Sequence, residues 1–217
     1  HYPLRRQRQM CIRDSLGEVI TAAVPTLLTA LEVMETVQQG HHPARPQATV
    51  NFIKPFIESL NQAHAALAPL TFPTQIEKFG DHLKTSFVYA SRTGENLIAA
   101  AEDSVAFFRA NRTFSKALDH LFPLATLLNP IHQFFLEAPL RQGRVVPEHF
   151  LAEPSLHPIT HIENAYDQRG GASIYIPHWV DPTALTPVVI ALHGGAGHGR
   201  DMLWHWLREA RSRGFVL

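Results

Sequence analysis

The chain has 217 residues, 45% of them hydrophobic, which is enough apolar material for a real core and room for one large or two small domains. Its 19 Lys and Arg residues balance 19 Asp and Glu residues, so no net field attracts nucleic acid or an anionic membrane. The single cysteine, Cys11, excludes an intrachain disulfide and a cysteine-built zinc site, and it favours a reducing, cytoplasmic setting.

Residues 1–15 read as a non-native or disordered leader and carry no expected function. Arg5, Arg6, Arg8 and Arg13 precede the apolar stretch Val19–Leu31 in the manner of an export signal. Asp14 and Glu18 before that stretch, and Glu32 and Glu35 after it, argue instead for a soluble helix. No apolar run approaches the roughly 20 residues of a spanning helix.

Helical spacing of apolar residues begins at Leu16 and continues through Ile20, Ala23, Leu27, Leu31 and Met34, with a kink or restart expected at Pro25. A second helix fits 48–67, bent at Pro55, and a third fits 74–91, punctuated by Arg92-Thr93-Gly94. A fourth fits 95–111 and a fifth 114–128, ended by Asn129-Pro130, with a short helix over 131–137. Residues 16–138 therefore predict an antiparallel helical bundle. Four prolines punctuate a polar stretch from Pro139 to Pro158, so 139–165 reads as a linker or extended arm.

From residue 166 onward the patterning is of β type. Gly170-Gly171 predicts a turn and 172–177 a strand. Val188 to Leu192 is a continuous apolar run suited to a strand buried on both faces. A glycine loop over 193–200 follows, then Asp201 as helix N-cap, a helix over 202–212, a stop at Gly214, and a second β run over 215–217. Residues 188–217 thus predict a βαβ unit.

The loop His193-Gly194-Gly195-Ala196-Gly197-His198-Gly199-Arg200-Asp201 carries the chemistry. A P-loop needs Lys and Ser/Thr after its last glycine, where this chain has Arg200 and Asp201. A dinucleotide fingerprint needs G-x-G-x-x-G, and Gly195, Gly197 and Gly199 are spaced one residue too short. Acyl transfer needs fixed N–H donors about 3 Å from a developing oxyanion, and glycines let the backbone present them. His198 and His205 lie seven apart with no matching carboxylate, a poor metal site, so no metal is expected.

The stretch from Val188 through Trp204, with Arg213-Gly214-Phe215-Val216-Leu217 after it and Gly170–Pro177 before it, resembles the phospholipase/carboxylesterase group of α/β-hydrolases, which includes polyester-depolymerase-like members. The resemblance covers the last 50 or so residues. It implies an α/β fold: a helical region, then at 166–217 the first strands and helix of an incomplete hydrolase sheet. It implies an oxyanion hole at Gly195, helped by Ala196, with His193, Gly194, Gly197, Gly199 and Asp201 structuring the loop. It implies hydrolysis of a small-molecule or lipid ester through an acyl-enzyme, without cofactor. The implied order puts a G-x-S-x-G nucleophile elbow, an acid and a histidine after this loop. These residues contain no such elbow; Ser173 and Ser212 lack its context, and His157 and Asp167 lie upstream. The catalytic triad is therefore expected downstream of Leu217, and the 217-residue chain is expected to be inactive. Two other readings stay open: a helical interaction module with a relic loop, and a nucleotide-binding βαβ domain.

Overall fold

The buried face of the first helix consists of Leu16, Ala23, Val24, Leu27, Ala30, Leu31, Met34 and Val37, the helical repeat that the sequence displays. This computed structural model describes residues 2–40, 46–141, 159–168, 170–181, 183–194 and 197–217, with side chains from Leu16 onward. The chain divides into two compact units, 1–117 and 118–217, each described here separately.

In the first unit α1 (Tyr2–Gln39), α2 (Pro46–Leu67) and α3 (Glu77–Ala99) pack on one another, joined by the start of α4 (Ser104–Leu121). α1 runs unbroken through Pro25 rather than restarting there. A mid-helix proline costs about 3 kcal/mol, whereas each buried leucine or valine contributes about 1.5–3 kcal/mol, so burial of this face outweighs the lost bond. The stretch Leu16–Gln39 has a mean hydropathy of 1.5 and is by length and composition apolar enough to cross a membrane, contrary to the expectation above. Its leucine and alanine face is buried against α2 and α3, as in a bundle helix.

α3 does not stop at Arg92-Thr93-Gly94. Gly94 is buried, and a Cβ there would lie 2.0 Å from Ile57 Cδ1, so the glycine is a notch for Ile57 and not a terminator. Thr93 Oγ1 bonds Tyr89 O at 2.8 Å and Thr113 Oγ1 at 3.0 Å, tying α3 to α4. The true break lies at 100–103, where Asp103 Oδ1 accepts the Val105 N–H at 2.9 Å and starts α4. Just past the end of α2, Lys84 Nζ donates to Ala68 O at 2.9 Å and Leu70 O at 2.6 Å, tying the connection after α2 to α3.

In the second unit the expected helix over 114–128 is divided. α4 ends at Leu121 and a 3-10 turn covers Phe122–Thr126, with Pro123 near its start. Asn129-Pro130 begins α5 (Asn129–Phe134) instead of closing the previous element, since proline fits a helix's first turn. The arm expected over 139–165 carries α6 (Ala138–Arg141) and β1 (Ile159–Ile162) at its ends; 142–158 lie outside the described residues. β1 pairs antiparallel with β2 (Ala172–Tyr175), Ile159 opposite Tyr175 and His161 opposite Ser173. Gly170 and Gly171, the expected turn glycines, end the connection between these strands with φ of 101° and 71°, torsions that favour glycine. The last helix is α7 (Gly199–Arg213), and Gly214 ends it in the left-handed region with φ 79°. Phe122, Phe135 and Trp204 form the aromatic core, with ring centroids 4.9–6.0 Å apart.

The α/β expectation is overturned. The protein is mostly helical, and the sheet among the described residues has two antiparallel strands. Val188–Leu192 forms no named strand. It makes one parallel bridge, Val188 to Val216, through Val189 N–H to Val216 O at 2.8 Å and Val216 N–H to Pro187 O at 2.9 Å. Val188, Ile190 and Leu192 are 64%, 80% and 82% exposed. A doubly buried strand needs neighbours on both edges and cover on both faces; this run has one neighbour, itself bonded to β2 through Tyr175 and Leu217. An apolar run alone carries no information about what covers it.

Candidate functional site

The glycine loop leaves the Val188–Leu192 run and enters α7. His193 Nδ1 lies 2.8 Å from Gly194 O, and the Gly197 N–H donates to Gly194 O at 2.9 Å, closing a tight turn. A Cβ at Gly197 would approach His193 Cβ to 2.8 Å, so a bare backbone is needed there. His193 and Gly194 are exposed. Gly195 and Ala196, the expected oxyanion donors, lie outside the described residues. The Gly197 amide is spent on Gly194 O.

His198, not Asp201, caps α7. Its backbone is extended, with φ −144° and ψ 145°, and its Nδ1 accepts the Arg200 N–H at 3.2 Å. Its Nε2–H is shared between Ala165 O at 3.0 Å and Gln168 O at 3.2 Å. The side chain is 4% exposed. It therefore fastens the loop to the segment after β1, the bracing role that the sequence reading gave to His193. Asp201 sits in the first turn of α7, where its charge suits the helix dipole. A Cβ on Gly199 would lie 3.1 Å from Asn164 Nδ2, so this glycine makes room for a neighbour as well as turning the chain.

Beside the cap lies a polar cluster that the sequence did not reveal. Asp119, at the end of α4, accepts from the Tyr166 hydroxyl at 3.2 Å and from Arg200 Nη1 at 3.3 Å, and its Oδ1 is 4.0 Å from His161 Nε2. The Arg200 guanidinium also lies 4.8 Å from the centre of the Tyr166 ring, which stacks on His198. Burial pushes the Asp119 carboxyl above its ordinary value, although Arg200 and His161 pull it down. Burial and the Asp119 charge push the Tyr166 phenol up, so it remains a hydrogen-bond donor. Burial, then Arg200, lowers His161, and Asp119 offsets this in part. His161 Nδ1 is 2.8 Å from Ser173 Oγ, and Asn164 Nδ2 is 2.6 Å from the same oxygen.

Sequence reasoning missed Asp119, His161, Asn164, Tyr166 and Arg200 because the cluster draws on three separate elements. The usable signal was local: Ile159-Thr160-His161-Ile162 and Ala172–Tyr175 flank the Gly170-Gly171 turn and could have been paired as a hairpin. Among the described residues no three His, Cys, Asp or Glu side chains converge on a metal position. No family model matches this chain, and neither a curated protein nor a solved structure matches it.

Proposed function

We propose that residues 193–199 are the oxyanion loop of a serine hydrolase that cleaves carboxylic esters, with a small-molecule or lipid ester as substrate. The observation that carries this reading is the loop's setting: a His-Gly-Gly segment follows an apolar run and is pinned by buried His198 to the start of a helix. An oxyanion hole needs donors held before the reaction begins, because reorganising them during reaction would forfeit their electrostatic advantage. The His198 clasp fixes the end of the loop where it enters the helix. With the Gly197 amide committed to Gly194 O, the donor role falls to Gly195, assisted by Ala196.

The reading requires a serine, an acid and a histidine after the loop. A histidine-activated serine attacks the ester carbonyl, the alcohol departs, and water releases the acid from the acyl-enzyme. No G-x-S-x-G occurs in the 217 residues, so those groups would follow Leu217. Two measurements test this. The coding sequence beyond Leu217 should encode a G-x-S-x-G elbow, and a chain that includes it should react with a fluorophosphonate. Gly195→Pro should then lower ester turnover by about 100-fold or more. Absence of the elbow, or turnover indifferent to that substitution, refutes the proposal.

A further inference from the structure

The hairpin register sets His161 and Ser173 opposite each other, and their side chains meet at 2.8 Å between Nδ1 and Oγ. When Nδ1 accepts the serine proton, the ring hydrogen sits on Nε2, which faces Asp119 Oδ1 at 4.0 Å. Nucleophile, base and orienting carboxylate thus stand in line, the constellation that activates serine wherever it occurs. The acid–base separation exceeds a hydrogen bond, as is common before a substrate is bound. Asn164, 2% exposed, brings Nδ2 to 2.6 Å from the same Oγ, while its buried Oδ1 has no hydrogen-bond partner. A hydrogen bond that merely clips two strands together needs neither a part-buried carboxylate behind the imidazole nor a buried amide at the hydroxyl.

We propose that Ser173 is an acyl-accepting nucleophile, with His161 as its base and Asp119 as a positioning residue, and that it takes the acyl group of small activated carboxylic esters. Ser173 Oγ attacks the carbonyl carbon as its proton passes to His161 Nδ1. The oxyanion so formed accepts from the Asn164 amide. It collapses with cleavage of the bond to the leaving oxygen, which departs with the electron pair as an aryloxide. The product is an ester on Ser173, and the imidazolium returns its proton to solvent. The site is separate from the glycine loop and does not depend on the hydrolase reading.

The test treats the 217-residue chain with p-nitrophenyl acetate and follows nitrophenolate release and the mass of the peptide containing Ser173. One acetyl group should appear on Ser173, with a burst of about one equivalent. Ser173→Ala should abolish the burst and His161→Gln should slow it about 100-fold. The rate should rise with pH as His161 loses its proton. The charged and titratable groups facing that ring are Asp119 from α4, Tyr166 after β1, and His198 and Arg200 at the start of α7. Asp119→Asn should move the midpoint of that rise to lower pH and also lower the plateau rate above it, where the His161 ring is neutral in both proteins; loss of a neighbouring charge alone would move the midpoint and leave the plateau. An unlabelled Ser173 in the unaltered chain overturns the proposal, as does labelling that is equally fast in folded His161→Gln.

Discussion

Arg211 is 1% exposed, and it donates to His132 O at 3.1 Å and reaches His132 Nδ1 at 2.9 Å. Its guanidinium also lies 5.6 Å from the centre of the Phe122 ring. A buried cation demands acceptors, and here a backbone carbonyl and a neutral imidazole provide them. His132 is accordingly held neutral: burial, then Arg211 and His178, lower its pKa to about 4. The sign follows directly. Between about 6.5 and about 4 the unfolded chain takes up a proton at this residue and the folded chain does not, so stability falls as pH falls through that window. The loss should be about 2–3 kcal/mol, with His161 adding to it in the same direction. Asp119, whose carboxyl is raised, works in the opposite sense because its protonation favours the folded state. All three tryptophans, Trp179, Trp204 and Trp206, lie in the second unit, so denaturant unfolding followed by their fluorescence isolates it. His132→Asn should flatten the acid limb; an unchanged limb would place its origin elsewhere.

Two glycines behave oppositely among the helices. Gly214 reads as a stop and is one: its positive φ suits glycine, and a Cβ there would lie 1.9 Å from Trp179 Cη2. Gly94 reads as a stop and is buried inside α3, where Ile57 of α2 fills the space a side chain would take. Local sequence cannot separate these cases, since the distinction depends on a residue in another helix. Alanine at Gly94 would gain about 1 kcal/mol of helix propensity but incur about 1–3 kcal/mol of overpacking. Gly94→Ala should therefore lower the melting temperature. In an Ile57→Ala background the same change should be neutral or stabilising. A double-mutant cycle measures the coupling, and additivity of the two changes would show that the notch is not a contact.

The chain as a body is uncharged at neutral pH, with a sequence pI near 7.4, and it carries 14 histidines. Its Val188–Leu192 run presents three strongly exposed aliphatic side chains on a segment paired at one bridge. An apolar edge with unused backbone groups is a template for association, and zero net charge removes the repulsion that would oppose it. Light scattering should therefore rise with concentration near pH 7 and subside in mild acid, where a chain with a sequence pI near 7.4 takes on net positive charge. Ile190→Lys should suppress it at pH 7, because a charged side chain on an edge penalises strand addition. Equal scattering by both proteins would exonerate this edge.

Helix periodicity, the turn glycines Gly170-Gly171, the strand that starts at Ala172 and the helix stop at Gly214 were legible in the residues, because each is a local matter of side-chain spacing or backbone torsion; the partner strand over 159–162 was not, since it read as part of an extended arm. The glycine loop was equally plain as a motif. Burial was not: the Val188–Leu192 run looked like a core strand and stands exposed, since exposure depends on distant neighbours. Nor was the approach of Asp119 to the His161–Ser173 pair legible, for a contact between residues 42 positions apart (from 119 to 161) follows from packing rather than from any local pattern. Local forces chose the elements, and long-range packing chose which polar side chains would share a buried space.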